Sequence, residues 1–270
     1  MSNQDYWEKR VAANEAKTQR YAAIAVKRQK KLYKDAYKEI TAKIEALALE
    51  IMEKGKYGRL TRSELWQFKK YTDLQAYVGN VFEGLTGNQL SIANTLLRQV
   101  FEETMGFTIE ALDANSGNIA YSILNENQVN QVLNTSWSGK HYSQRIYDTN
   151  SRIGERVKKD ITDMIIQGKN TGTIKKQLMK DLDVSYSYAD RLIRTEASHI
   201  FNEAAKMGYK QANVEEVEVL IEESGDLCDK CKELKGKRFR IGTEPRLPLH
   251  PNCRCCYAPI VNLSKTQGQD

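Results

Sequence analysis

Apolar residues near the start of the chain recur at the spacing of one helix face. Six of them follow one another every three or four positions: Leu32, Ala36, Ile40, Ile44, Leu47 and Ile51. Residues 4–53 are otherwise rich in Ala, Lys and Glu, which are good helix formers. We therefore predict one long helix, broken once at most, that packs this narrow stripe on the rest of the protein or on a partner. A coiled coil is less favoured because the stripe is not sustained upstream of Tyr21.

Turn-forming residues divide the following part of the chain into further helices. Residues 55–58, which read Gly-Lys-Tyr-Gly, should end the first helix. Thr61 and Glu64 have the spacing of a capping box and predict the start of a new one. Further helical patterns, separated by Gly, Asn and Thr, cover approximately residues 87–105, 116–133, 142–167, 173–180 and 187–212.

The hydrophobic period changes towards the C-terminal end. Val217, Val219 and Ile221 alternate with Glu218, Leu220 and Glu222, a pattern typical of a strand. Phe239 with Ile241, and residues 257–261, indicate two further short strands. All 4 prolines lie at or after Pro245, so the strongest helix-breaking residue is missing from the helical region.

Composition excludes a membrane span. The chain has 270 residues, of which 28% are charged, and a mean hydropathy of −0.62. No stretch approaches the roughly 18 consecutive apolar residues that a spanning helix needs, and the N-terminus lacks the pattern of a signal peptide. In a reducing cytoplasm, where disulfides are rare, metal binding is the more natural use of the chain's cysteines.

The net charge of +6 is concentrated at the start of the chain, where residues 1–60 carry 14 Lys/Arg against 8 Asp/Glu. Its centre is a group of basic residues, Lys27, Arg28, Lys30, Lys31, Lys34 and Lys38. We interpret this group as a nucleic-acid or partner-binding surface that could follow a phosphate backbone or an acidic protein face. A merely solvated helix face explains the pattern equally well.

All 5 cysteines lie between positions 228 and 256, together with a histidine. Cys228-x2-Cys231 and His250-x2-Cys253 have the spacing with which two tight turns present ligands to one tetrahedral ion. They predict a structural zinc site with four protein ligands, and Cys255 is an alternative fourth ligand. A disulfide, Cys228–Cys231 or Cys253–Cys256, and buried free thiols are the other interpretations.

A second polar group, Arg194, Thr195, Glu196 and Asn202, falls on a predicted helix. We favour a structural motif in which Arg194 and Glu196 pair, over a catalytic Glu196. The sequence lacks the zinc-deaminase, His-Glu-x-x-His, Walker A and Gly-x-Gly-x-x-Gly signatures. We predict no catalytic residues, and a nuclease is the enzyme class least easily excluded.

These patterns together predict a mainly α protein with long N-terminal helices, a helical body and a small C-terminal α+β subdomain stapled by a Cys/His metal site. The predicted domains are a long basic N-terminal helix at 1–58, a helical body at 59–185, an α+β domain with the Cys/His cluster at 186–263 and a disordered tail at 264–270.

Three motifs in this order carry a resemblance to a known family. They are Arg194-Thr195-Glu196 followed by Asn202-Glu203-Ala204, then Asp226-x-Cys228-x2-Cys231-x4-Gly236, then Pro248-x-His250-Pro-Asn-Cys253-Arg-Cys255. This set resembles the head-morphogenesis (minor head protein, phage Mu F-like) family of tailed bacteriophages. In this resemblance Cys228, Cys231, His250 and Cys253 are the candidate metal ligands, and Cys256 is an extra cysteine.

The resemblance implies a minor capsid protein of the virion interior that is present in the host cytoplasm during assembly. Its expected partners are the portal protein, the major capsid or scaffolding protein, and double-stranded DNA, with no membrane. The alternative functions are a nuclease or toxin-like enzyme housed in the C-terminal domain, and a general DNA-binding protein of the host.

Overall fold

The computed structural model describes residues 3–54, 60–116, 126–221 and 228–261. Their elements are α1 Asn3–Glu53, α2 Arg62–Trp66, α3 Lys69–Ser116, α4 Glu126–Leu133, α5 Tyr142–Ile166, α6 Thr171–Gln211, β1 Glu216–Leu220, α7 Asp229–Leu234, β2 Arg238–Arg240 and β3 Cys256–Ile260. The predicted fold class, mainly helical with a small C-terminal α+β part, is confirmed.

Several helix boundaries agree with the sequence patterns. The first helix runs from Asn3 to Glu53, and α5 matches the pattern at 142–167. The capping box before α2 is present, because the Glu64 amide donates to Thr61 Oγ1 at 3.2 Å and the Thr61 amide donates to Glu64 Oε2 at 2.9 Å. Residues 55–58, most of the first half of the 116–133 pattern and the 264–270 tail lie outside the described residues.

Two predicted breaks were wrong. The pattern at 87–105 is only the middle of α3, which runs from 69 to 116 despite its internal glycines. The patterns at 173–180 and 187–212 belong to a single helix, α6. The polar stretch between them stays helical because Leu182 and Ser185 are buried there, and packing of this kind outweighs weak local propensity.

The chain forms two compact units, each assembled from segments far apart in sequence. One contains Met1–Ala25, Asn94–Ser136 and Arg191–Asp270, and the other contains Val26–Ala93 and Trp137–Asp190. The helices α1, α3 and α6 are therefore each divided between the units. The consecutive domains predicted from the sequence stay a prediction.

The unit of residues 26–93 and 137–190 buries the apolar stripe of α1. Ile40, Ile44 and Leu47 belong to its core together with residues of α3, α5 and α6. A row of hydrogen-bonded side chains crosses the same interior. Gln89 donates to the Tyr33 hydroxyl at 2.9 Å, and this hydroxyl is 2.9 Å from Ser185 Oγ. Gln89, Tyr33 and Ser185 thus provide hydrogen-bond partners for one another, as buried polar groups need.

The other unit buries the upstream part of α1, where the sequence showed no sustained stripe. Trp7, Val11 and Ala22 are buried there, but so are the polar residues Asn14, Glu15 and Thr18. The buried face of α1 therefore continues upstream of Tyr21, and hydrophobicity alone does not reveal it because half of these positions are polar.

The same unit contains an antiparallel sheet in the order β2-β1-β3. Val217 lies opposite Phe239 in β2, and Val219 lies opposite Tyr257 in β3. Val217 and Val219 face the core while Glu216 is exposed, as the predicted alternation requires. The three predicted strands are confirmed, and this small sheet supports the loops that carry the cysteines.

Candidate metal centre

Two similar turns present the four predicted ligands. Cys228 is the N-cap of α7, and the Cys231 amide donates both to Cys228 Sγ at 3.4 Å and to the Cys228 carbonyl at 3.0 Å. The second turn is closed in the same way, because the Cys253 amide donates to the His250 carbonyl at 3.1 Å. Each turn thus places its first and last side chains on one side, which is the geometry that the x2 spacing predicted.

The structure brings the side chains of these turns together around Cys231. Its Sγ is 3.4 Å from Cys228 Sγ, 3.2 Å from His250 Nε2 and 3.8 Å from Cys253 Sγ. Sulfur ligands held at about 2.3 Å from a tetrahedral ion lie about 3.8 Å from one another. The separations of Cys231 from its three neighbours are therefore close to those between ligands of one metal ion.

His250 is held in the tautomer that suits a ligand. Its Nδ1 is 2.9 Å from the Pro251 carbonyl oxygen, and because a carbonyl only accepts, Nδ1 carries the hydrogen. The neutral ring then has its lone pair on Nε2, the atom that faces Cys231. A backbone carbonyl commonly fixes metal-binding histidines in this way.

All five cysteines are free thiols, and the 3.4 Å between the sulfurs of Cys228 and Cys231 is far longer than an S–S bond. Burial raises the pKa of Cys231 to about 12. A hydrogen bond with the Cys255 thiol lowers the pKa of Cys253 to about 5, and the same bond raises the pKa of Cys255. A cation bound here would stabilise the thiolate form of Cys253.

The fourth ligand has two structural candidates. Cys228, Cys231 and His250 form one group whose donor atoms lie within 4.8 Å of one another, and Cys231, Cys253 and Cys255 form another. Cys231 is common to both groups, and neither Cys253 nor Cys255 belongs to the first group as it stands. Either is a candidate to complete it. Cys256 belongs to neither group; it is buried in β3, paired with Leu220.

The donor set fits a closed metal site. Thiolate sulfur with imidazole nitrogen is the ligand chemistry of zinc, and four protein ligands leave no position for a reactive water. A metal bound here would cross-link the start of α7 to the loop before β3. The group could hold a metal ion, whereas the identity of the metal and the exact ligand set stay predictions.

One face of α6 binds the backbone of the segment that carries the second turn. Thr195 Oγ1 accepts a hydrogen bond from the Asn252 amide at 3.1 Å. Asn202 Nδ2 donates to the Cys255 carbonyl at 3.1 Å. The Tyr209 hydroxyl donates to the carbonyl of Tyr257 at 2.8 Å. Thr195 and Asn202 of the Arg-Thr-Glu…Asn motif therefore position residues 250–255, which we call the cysteine loop.

Two further residues of α6 lie on the same face. His199 Nδ1 is 3.3 Å from the Leu247 carbonyl, and Lys206 pairs with Glu244 at 3.2 Å. Burial lowers the pKa of His199 to about 4, so the ring is neutral near pH 7. Sequence reasoning missed His199, Lys206 and Tyr209, although their spacing from Thr195 repeats at three and four residues, the signal of a single helix face.

The remaining motif residues occupy different environments. Glu196 is buried with 4% of its surface exposed, while Arg194 is half-buried. Both make polar contacts, and their predicted pairing with one another stays a prediction.

The basic residues of α1 lie in the other unit. Lys27, Arg28, Lys31, Lys34 and Lys38 are all exposed. So is Lys30, whose ammonium lies 5.6 Å from the centre of the Tyr186 ring. Among the helices in the described parts of the chain, none combines the length and the apolar character needed to span a bilayer.

Comparison with known proteins supports the family indicated by the motifs. Residues 155–258 match the family described as "Phage Mu protein F like protein". A curated relative, the NAD(+)--arginine ADP-ribosyltransferase EFV of Enterococcus faecalis (strain ATCC 700802 / V583), is 28% identical over 99 residues. That alignment covers 36% of this chain and 20% of the relative, so the chain spans about a fifth of the relative's length. No solved structure matches. The predicted resemblance is thus confirmed for residues 155–258, a segment that contains both cysteine turns and the α6 motif.

Proposed function

We propose that this chain is a minor capsid protein that acts in head morphogenesis of a tailed bacteriophage. The observation that carries the proposal is the family match over residues 155–258. This segment contains both turns of the candidate metal centre and the face of α6 that binds the segment of the second turn. The protein would be located in the virion interior after assembly in the host cytoplasm, and its function would be binding, without catalytic turnover.

In this proposal the metal is structural zinc. The sheet is small, with strands of five, three and five residues, and so limited a subdomain gains much of its stability from a bound ion. Zinc held by Cys228, Cys231, His250 and Cys253 or Cys255 would keep the cysteine loop rigid. A rigid terminal domain suits a component that has to dock in one orientation during assembly.

The basic part of α1 supplies the partner surface in this proposal. Its candidate partners are the portal protein, the major capsid or scaffolding protein, and double-stranded DNA. Lys27, Lys31, Lys34 and Lys38 repeat every four, three and four residues, which places them along one side of the helix. The buried residues Tyr33, Ala36 and Ile40 occupy the opposite side, so the basic side is available to a partner.

Particle association tests the proposal. Particles would be purified from cells that encode the protein and analysed for the chain by quantitative mass spectrometry, beside a variant with the Cys228→Ser and Cys231→Ser substitutions. We expect the wild-type chain to sediment with heads at a few copies per particle and the variant to be lost from them. Normal assembly of heads that lack the chain would contradict the proposal.

DNA binding has its own measurement. Affinity for a duplex would be measured against salt concentration for the wild type and for a variant with Lys27, Lys31, Lys34 and Lys38 changed to Gln. If these lysines contact phosphates, the slope of log K against log salt falls by about 1 for each lost contact. A control with four other exposed lysines changed to Gln, namely Lys159, Lys169, Lys176 and Lys180, has the same net charge and should retain the slope. If the slope of log K against log salt were the same for both variants, these lysines would not contact DNA phosphates. The surface would then be proposed to bind a protein partner.

An enzyme is the second candidate, because the curated relative is an ADP-ribosyltransferase that acts on arginine by its name. The purified chain would be incubated with labelled NAD+ and an arginine-containing acceptor. Transfer of label that is lost on Glu196→Gln, in a protein that keeps its fold, would support the enzyme. No transfer at high protein concentration would support the binding function.

A further inference from the structure

We propose that the N-terminal part of α1 completes the metal centre, with Glu15 acting as a positioning residue for the cysteine loop through Arg254. The inference rests on the proposed metal centre and extends it to a segment that lies far outside the family match. Bound metal and docked α1 should then stabilise each other.

The first observation is a partly buried ion pair. Arg254 lies between Cys253 and Cys255 in sequence, and its guanidinium binds Glu15 with both ends: Nε donates to Oε1 at 3.0 Å and Nη2 donates to Oε2 at 2.6 Å. The Glu15 side chain is only 8% exposed. Arg–carboxylate pairs of this two-bond kind fix direction as well as distance. The pair therefore restrains the backbone between two candidate ligands.

The second observation is apolar packing. Trp7, which is 1% exposed, belongs to the same core as Cys231, Cys253 and Cys255. A residue of α1 thus belongs to the core that contains these three thiols. Removal of Trp7 would leave a large void in this core, and core voids are costly.

Core packing also places α1 beside the sheet, because Trp7 belongs to the same core as Val217 and Val219 of β1. The pKa of Glu8 is raised by burial and by the nearby carboxylates of Glu218 in β1 and Asp5. Further along α1, the Tyr21 hydroxyl donates to Glu103 of α3 at 2.7 Å, and Lys17 also pairs with Glu103. The segment is therefore held at several points, and the Glu15–Arg254 pair is the point next to the ligands.

The physical consequence is thermodynamic coupling. Groups that orient metal ligands without touching the metal commonly change metal affinity by about 10- to 100-fold when they are removed. Coupling between two binding events is reciprocal, so loss of the metal should weaken the docking of α1 by the same factor. The matched segment 155–258 alone contains neither Glu15 nor Trp7, and we expect it to bind metal less tightly than the full chain does.

The test uses the full chain and zinc alone. Zinc affinity would be measured by competition with a chromophoric chelator for the wild type, Glu15→Gln and the control Glu53→Gln, which removes an exposed carboxylate from the same helix. We expect an affinity about tenfold or more weaker for Glu15→Gln and no change for the control. If Glu15→Gln does not fold, Glu15→Asp, which keeps the charge but shortens the reach, is measured instead and should also bind more weakly.

A second readout detects α1 directly. Limited trypsin digestion with and without a chelator should show faster cleavage after Lys9 and Lys17 when zinc is removed, with cleavage after Lys38 as the internal reference. Wild-type protein that binds no zinc would overturn the metal centre itself. Wild-type protein that binds zinc, with equal affinity for Glu15→Gln and unchanged cleavage, would overturn only the coupling.

Discussion

Gly208 of α6 is the position where the structure makes the sharpest prediction about stability. A Cβ atom added there would lie 2.6 Å from Thr108 Cγ2 and 2.9 Å from Thr108 Cβ of α3. Thr108 is buried and its hydroxyl donates to the Thr104 carbonyl at 2.7 Å. A β-branched side chain on a helix has little freedom to turn away, so the Gly208→Ala substitution has to push the two helices apart.

The expected size follows from the distances. Ordinary carbon–carbon contacts begin at about 3.5 Å, so a displacement on the order of 1 Å is needed. A contact as short as 2.6 Å places the cost of overpacking in the upper part of its usual range, at about 2–3 kcal/mol, and the better helix propensity of Ala returns about 1 kcal/mol of it. We expect a net loss of about 1–2 kcal/mol in the free energy of unfolding. In a protein of this size the melting temperature should fall by about 3–6 °C.

Gly106→Ala is the matched control, because an added Cβ at Gly106 in α3 meets no atom within 4 Å. It gains helix propensity without a clash and should stabilise the protein by about 0.5–1 kcal/mol. Thermal unfolding followed by circular dichroism measures both variants. Equal melting temperatures for Gly208→Ala and the wild type would refute the close approach of α3 and α6 at this point.

Two further predictions concern the face of α6 that holds the cysteine loop. Asn202→Ala should cost about 1–3 kcal/mol in urea unfolding, because the buried Cys255 carbonyl loses its donor; an unchanged midpoint would contradict this. His199 should make stability pH-dependent: its folded pKa of about 4 lies below the ordinary 6.5, so the unfolded chain binds the proton first as the pH falls. Stability should therefore decrease from about pH 6.5 down to pH 4, by about 3 kcal/mol at most, and His199→Gln should flatten this decrease. The charged groups that face His199 are Glu203, which raises its pKa, and Lys206 and Arg246, which lower it.

The local part of the structure was predictable from the sequence. Helix periodicity indicated α1 and α5, strand alternation indicated β1, and the capping box indicated the start of α2. The two cysteine turns followed from their x2 spacing, since a turn of this kind is closed by its own backbone. In each case the signal lies within a few consecutive residues.

The long-range part was not predictable in this way. Glu15 and Arg254 are 239 residues apart, and no period links two such positions. The upstream face of α1 was missed because Asn14, Glu15 and Thr18 are buried yet polar. The unbroken α6 was missed because its middle is stabilised by packing around Leu182, which outweighs a polar local sequence. Side-chain bonds from α6 to the cysteine loop depend on tertiary position in the same way.

The metal content of the purified full chain tests the central claim most directly. Protein prepared without chelator would be analysed for metals by elemental analysis, beside a variant with Cys228→Ser and Cys231→Ser. We expect about one zinc per chain, as a single closed four-ligand site requires, and no zinc in the variant. Wild-type protein that contains no metal and takes up none when zinc is added would contradict the claim, and the cysteines would then be buried core thiols.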